Sequence, residues 1–238
     1  MTNKYTIHKQ LKTNNSLLTK SAFTLAETLI VMGIIGVVAA LTLPNLNSST
    51  GDKEKVVKLK KIYSNISDAY GRAQAIYGPA DEWFAKDTTA TAQQTRFMNR
   101  LTEFMKVSKK ENDTSYILAD GARIFLYQNT FSPADNKIFL DVDLDGINKG
   151  QNKYGHDIFR FTTSTHYQSG DHNISTFKPF SSDDTTFLGD CSNSGNEWCT
   201  AWVINFDNMD YLKTDINRKC ANGTVLNATA NPPVTSCK

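Results

Sequence analysis

FTLAETLIVMGIIGVVAALTLP, residues 23–44, is the stretch on which the reading of the whole chain turns. From Phe23 to Leu43 it holds 21 residues with one ionisable side chain, Glu27. At about 1.5 Å per residue such a helix is roughly 31 Å long, the thickness of a bilayer's hydrocarbon core. The leader before it, Met1 to Ala22, carries Lys4, Lys9, Lys12 and Lys20 and no acidic residue. The positive-inside bias then predicts an N-terminus in the cytoplasm and everything after Pro44 outside. A charged residue at the middle of a span costs about 2.5–3.5 kcal/mol on insertion scales and marks a partner, whereas an acid near the end of a span also snorkels to water.

The order of parts, a basic leader, a small residue, Phe-Thr-Leu-X-Glu and an apolar run, resembles the leader junction of the type IV pilin and type II secretion pseudopilin superfamily. The resemblance covers residues 21–44, with Ala22 standing where a Gly is usual. It implies that a prepilin peptidase cuts between Ala22 and Phe23 and methylates the new amino group, that Glu27 is the assembly carboxylate, and that Gly36 and Pro44 are the Gly and Pro of the family's helix. A straight helix does not let Glu27 fold back onto its own terminal amine. A neighbouring helix shifted by about one turn offers that amine instead, so pairing sets the register of assembly.

The fold expected from this is α+β and pilin-like. A leader, 1–22, is removed; a transmembrane, filament-core half, 23–44, and an amphipathic half, 45–78, make one long N-terminal helix packed on the antiparallel sheet of an exported domain, 79–238. The implied partners are copies of itself and related pilin-like subunits in a helical filament, the peptidase and methylase, an inner-membrane assembly platform, and membrane lipid before assembly. The implied location is the inner membrane, single-pass, and then an extracytoplasmic filament. A monomeric, membrane-anchored extracytoplasmic binding domain is the competing function.

Composition fits an exported domain. The chain has 238 residues, a net charge of +2 and a mean hydropathy of −0.41. Losing the four leader lysines takes the charge to about −2, so no basic footprint for nucleic acid remains. An ordinary secretory signal has a shorter apolar core and lacks polar residues such as Thr24, Glu27 and Thr28 at its start.

Past Pro44 a polar break is expected from Asn45 to Asp52, then a helix from Lys53 to Tyr77. Val56, Leu59, Ile62, Tyr63, Ile66, Ala69, Tyr70, Ala73, Ile76 and Tyr77 recur at threes and fours, while Lys53, Lys55, Lys58, Lys60, Lys61, Asp68 and Arg72 make a solvated face. Gly78-Pro79 ends it. Thr91 to Val107 predicts a second helix with Phe97, Met98, Leu101, Phe104 and Met105 on one face. The sheet is expected to begin near Ser115, where SYILADGARIFLYQN reads as two strands about an Asp120-Gly121 turn. Further strands are predicted at Lys137 to Val142, Ile158 to Thr162 and Ala201 to Phe206.

The densest chemistry is DVDLDGINKGQNKYGHD, residues 141–157. Asp141, Asp143 and Asp145 at alternate positions before Gly146 match the first half of a calcium loop, with Asn148, Asn152 or Asp157 completing an oxygen shell. The twelfth position is Asn152 where a bidentate Glu belongs, and the same residues also make an ordinary turn. Some members of the resembled family hold calcium in a loop of their C-terminal sheet. Cys191, Cys199, Cys220 and Cys237 allow three disulfide pairings, of which Cys191–Cys199 with Cys220–Cys237 closes the shortest local loops. Neither gap has the spacing of a zinc knuckle. His8, His156, His166 and His172 belong to no recognisable nucleophile or metal motif, and no phosphate-cradling glycine loop occurs, so the expectation is a non-enzyme needing no cofactor beyond that calcium.

Overall fold

A computed structural model describes residues 24–83, 89–127, 137–147, 149–164, 177–180, 191 and 195–237, with the backbone alone for 41–50, 81, 82, 137 and 164. The chain divides into two compact units, Met1–Asn47 and Ser48–Lys238. In chain order the elements are α1 (Leu25–Tyr77), a 3₁₀ turn (Ala80–Trp83), α2 (Ala90–Thr102), β1 (Val107–Asn112), β2 (Ser115–Leu118), β3 (Arg123–Leu126), β4 (Lys137–Asp143), β5 (Ile158–Ser164), β6 (Phe177–Pro179), α3 (Cys199–Phe206) and a second 3₁₀ turn (Asp210–Lys213).

The expected architecture, a transmembrane half and an amphipathic half packed as one pilin-like rod on the sheet, is overturned. Among the described residues no helix is long and apolar enough to cross a membrane. The apolar side chains from Leu25 to Val38 have open surfaces within the first unit, whereas the core lies in the second. Asn45 to Asp52 is also not a break, since the backbone there is helical. Ser48, Ser49, Thr50 and Gly51 are weak helix formers, yet propensity is a small bias of under about 1 kcal/mol per residue that its surroundings override.

In the second unit the six strands lie in sequence order, all antiparallel. Alternation decides the faces. Ile124, Leu126, Ile138, Leu140, Val142, Phe159 and Phe161 point to one side and share a core with Val56, Leu59, Ile62, Ile66, Ala69, Tyr70 and Ala73 of α1. Tyr63 stacks on Phe161 with ring centroids 5.3 Å apart. Ile76, placed with this face by its spacing, is 63% exposed, because the helix ends at Tyr77 before the core can reach round it.

The β2–β3 turn bends as the sequence suggests but through one residue more. Gly121 N donates to Leu118 O at 3.0 Å, and Gly121 alone takes the positive φ, +84°. That is the three-residue hairpin in which a tight turn is followed by a left-handed glycine. Edge strands carry their own protection. β1 has two register shifts and exposed Lys109 and Lys110, and β6 has three residues ending in Pro179, features that discourage pairing with another chain.

Three further expectations are corrected. Ala201 to Phe206 is helix α3, because a short apolar run has no periodicity to separate strand from helix. It sits where β6 runs out, and its Thr200 Oγ1 accepts the Arg160 backbone amide of β5 at 2.9 Å. α2 stops at Thr102, whose hydroxyl bonds back to Met98 O at 2.7 Å, so Phe104 and Met105 follow in a turn. β1 and β6, polar or too short to read, begin and close the sheet.

Candidate functional site

Thr24 and Glu27 close the N-terminus of α1 as a capping box. Thr24 donates to Glu27 Oε2 twice, from its backbone N at 2.8 Å and its Oγ1 at 2.9 Å, and Glu27 N donates to Thr24 Oγ1 at 3.2 Å. Glu27 is therefore already answered inside its own helix. Both bonds go to Oε2, which leaves Oε1 for a donor from elsewhere. The Thr-x-x-Glu spacing was the available signal for this. Ala22 and Phe23 lie outside the described residues; Gly36 stands in open space on α1, and Pro44 lies within its helical backbone.

The described residues of 141–157 do not converge on one cation. Asp141 is fully buried and gripped by Arg160, Nε to Oδ1 at 2.8 Å and Nη2 to Oδ2 at 3.0 Å, and it accepts the Tyr154 hydroxyl at 2.5 Å. Asp157 is spent on a nest of backbone amides, accepting from Gln151, Asn152 and Lys153 at 2.5, 2.9 and 2.6 Å. Gly150, at φ +64°, packs against the Oδ2 atoms of Asp145 and Asp157, where any Cβ would strike both. Asn152 contributes its amide from a left-handed backbone, and Asn148 lies outside the described residues. That leaves Asp143 beside Asp145. Burial, then the neighbouring Asp145 carboxyl, pushes Asp143 up to about 7. Among the described residues no group of three acidic, His or Cys side chains is placed to hold a metal ion.

The lysine face of α1 is partly a grip on these loops. Lys58 Nζ donates to Leu144 O at 2.5 Å and Asp120 O at 3.3 Å, Lys55 Nζ to His156 O at 3.0 Å, and Lys60 pairs with Asp207. Lys53 and Lys61 stay exposed, as the solvated-face reading has it.

On the sheet face away from the core, Arg160 is a hub that the sequence reading missed. Besides Asp141 it pairs with Glu197, and its guanidinium carbon lies 4.4, 5.3 and 4.9 Å from the ring centroids of Tyr127, Phe139 and Tyr154. Burial and then Asp141 raise the Tyr154 hydroxyl above its ordinary range. The signal was an Arg alternating with Phe159 and Phe161 in IFRFTT, a charge where a strand turns its second face.

All four cysteines are paired, Cys191 with Cys199 and Cys220 with Cys237, the short-loop arrangement. Such bonds belong to a protein that matures in an oxidising environment outside the cytoplasm. The profile of a family of unknown function (DUF6613) matches residues 45–214. No curated protein and no solved structure matches the chain.

Proposed function

The chain belongs to the family of unknown function DUF6613, and we propose that it is the structural subunit of a helical filament of the type IV pilus or type II secretion kind, assembled through its N-terminal helix. One observation carries the reading. Apolar side chains around the whole circumference of α1 from Leu25 to Val38 are more than half exposed, Leu25 at 78% and Met32 at 68%. A helix that is apolar all round belongs in an interior, and no described part of its own unit supplies one. Matching helices of other copies supply it, with Gly33 and Gly36, which have no heavy atom within 4 Å of a Cβ, admitting close approach.

The prepilin-like junction at Ala22 and Phe23 and the disulfides of the second unit support the same reading. The subunit would wait at the inner membrane with its disulfide-bonded unit outside the cytoplasm. The peptidase and an assembly platform would be its partners there. Oε1 of Glu27 would take the terminal amine of a neighbouring copy.

Crosslinking the full chain through a Met32→Cys substitution tests this. A ladder of multimers that disappears with Glu27→Ala is the expected result. Monomers alone would favour the membrane-anchored binding domain. N-terminal sequencing should begin at a methylated Phe23, and an intact Met1 on the functional protein would remove the reading.

A further inference from the structure

The outer face of the sheet carries a layer of partly exposed aromatic rings with no role in the filament helix. Tyr127 is 48% exposed, and Phe139, Tyr154, Phe180 and Trp198 are each half-buried. They are contiguous. Phe180 lies edge-on to Phe139 at 4.9 Å and tilted against Trp198 at 5.4 Å, while Tyr127, Phe139 and Tyr154 surround the Arg160 guanidinium.

Two properties separate this layer from core that happens to show. First, it is held rigid from below: Arg160 is fixed by Asp141, by Glu197 and by the Tyr154 hydroxyl at 2.8 Å, and Trp198 is held by its backbone N donating to Asn196 Oδ1 at 3.1 Å. Rings so held lose little freedom when a ligand lies on them. Second, its two guanidiniums are answered from within. Arg160 is answered by Asp141 and Glu197, and Arg123 on the same face by Glu111 at 2.9 Å. A phosphate or sulfate ligand would have to displace one of these carboxylates, and a cationic one would compete with a guanidinium. Ring faces with an accepting carboxylate at their edge, Glu197 being 34% exposed in its side chain, suit a flat ligand that is apolar on its faces and donates hydroxyls at its rim.

We propose that this face, centred on Tyr127, Phe139, Phe180 and Trp198, binds an uncharged oligosaccharide, sugar rings lying on the aromatic rings and hydroxyls donating to Glu197. The site is independent of assembly, and monomer and filament subunit alike would carry it.

Trp198 is a built-in reporter, because Trp83 and Trp202 are buried at 0% and 1% exposure. Full chain in a sugar-free zwitterionic detergent is titrated with cellohexaose, chitohexaose and maltohexaose, following tryptophan fluorescence and heat. At least one sugar should shift the emission saturably, and Tyr127→Ala should weaken it by about tenfold or more with the melting temperature held within a few degrees. Trp198→Phe should abolish the fluorescence change and weaken the heat, because a smaller ring is left for the sugar to lie on. Any of three results overturns the proposal: no sugar giving heat at millimolar concentration, a response unchanged in Tyr127→Ala, or saturable binding of an oligonucleotide or heparin in place of the neutral sugars.

Discussion

Arg160 holds Asp141 through two nearly parallel bonds, Nε–Oδ1 and Nη2–Oδ2, inside a sheet face where the side chains are 5% and 0% exposed. Removing one member of such a pair leaves the other buried without its counter-charge, which costs about 3–5 kcal/mol. Asp141→Ala should therefore lower the unfolding free energy by about 3 kcal/mol, the low end because Glu197 still faces Arg160. The double substitution Asp141→Leu with Arg160→Met should cost less than Asp141→Ala alone. Urea unfolding decides it, and a loss under about 1 kcal/mol for Asp141→Ala would remove the hub from the account.

Asp143 makes stability depend on pH with a definite sign. Its folded pKa, pushed up to about 7 by burial and by Asp145, lies above the ordinary carboxylate value, so across that window the native state keeps a proton that the unfolded chain gives up. Stability should fall as pH rises from about 4 through 7 and level off above. Asp143→Asn should flatten that slope. Melting temperatures at a series of pH values measure it, and a rising profile over the same range contradicts the assignment.

Calcium should change little. Asp141 and Asp157 have their oxygens committed to Arg160, Tyr154 and backbone amides, and a cation would have to displace these bonds to gain a full oxygen shell. Melting with millimolar calcium and with chelator should agree within about 2 °C. A large rise with calcium would mean that residues 141–157 rearrange into a shell.

Reduction should loosen the C-terminal segment before the sheet. The Cys220–Cys237 bond closes 17 residues and Cys191–Cys199 closes 8. On chain-entropy grounds these contribute about 3 and 2.5 kcal/mol. Cys220→Ser with Cys237→Ser should raise amide exchange from Thr214 to Val234, whose bridges Thr214–Cys220 and Asn227–Val234 the bond encloses or adjoins, and leave β4 and β5 protected. Equal loss of protection in β4 would show that the segment is part of one cooperative unit.

The Thr24–Glu27 capping box bears on assembly. Thr24→Val removes a cap worth about 1 kcal/mol and leaves the carboxylate only the backbone N of residue 24 as donor, so crosslinked multimers through Met32→Cys should fall about fivefold without vanishing. Abolition equal to Glu27→Ala would give Thr24 a share in the intersubunit contact itself.

Much of the second unit was legible one element at a time. The threes-and-fours spacing of Val56 to Ala73, the stop at Gly78-Pro79, the alternation in KIFLDV and the short-loop pairing of cysteines are local patterns, and local sterics enforce them. Ala201 to Phe206 failed because an unbroken apolar run satisfies a strand and a buried helix equally. The transmembrane rod failed for a different reason. Apolar length along a sequence does not say how a helix continues: α1 runs unbroken from its apolar start into the lysine-rich turns from Lys53, and among the described residues no helix is long and apolar enough to cross a membrane.

By itself the sequence determined the spacing of apolar side chains, the positions where a left-handed glycine turn can form and the number of thiols available for pairing, because each depends on neighbours a few residues apart. Only the tertiary structure decided what the charges do. Asp141 reads as a cation ligand until β5 brings Arg160 beside it, Lys58 reads as solvated until α1 lies over Asp120 and Leu144, and Tyr127, Phe139 and Trp198 become one surface only when β3, β4 and the start of α3 meet. A charge or a ring acts over a few ångströms in space, and no local rule says which distant residues will come within that range.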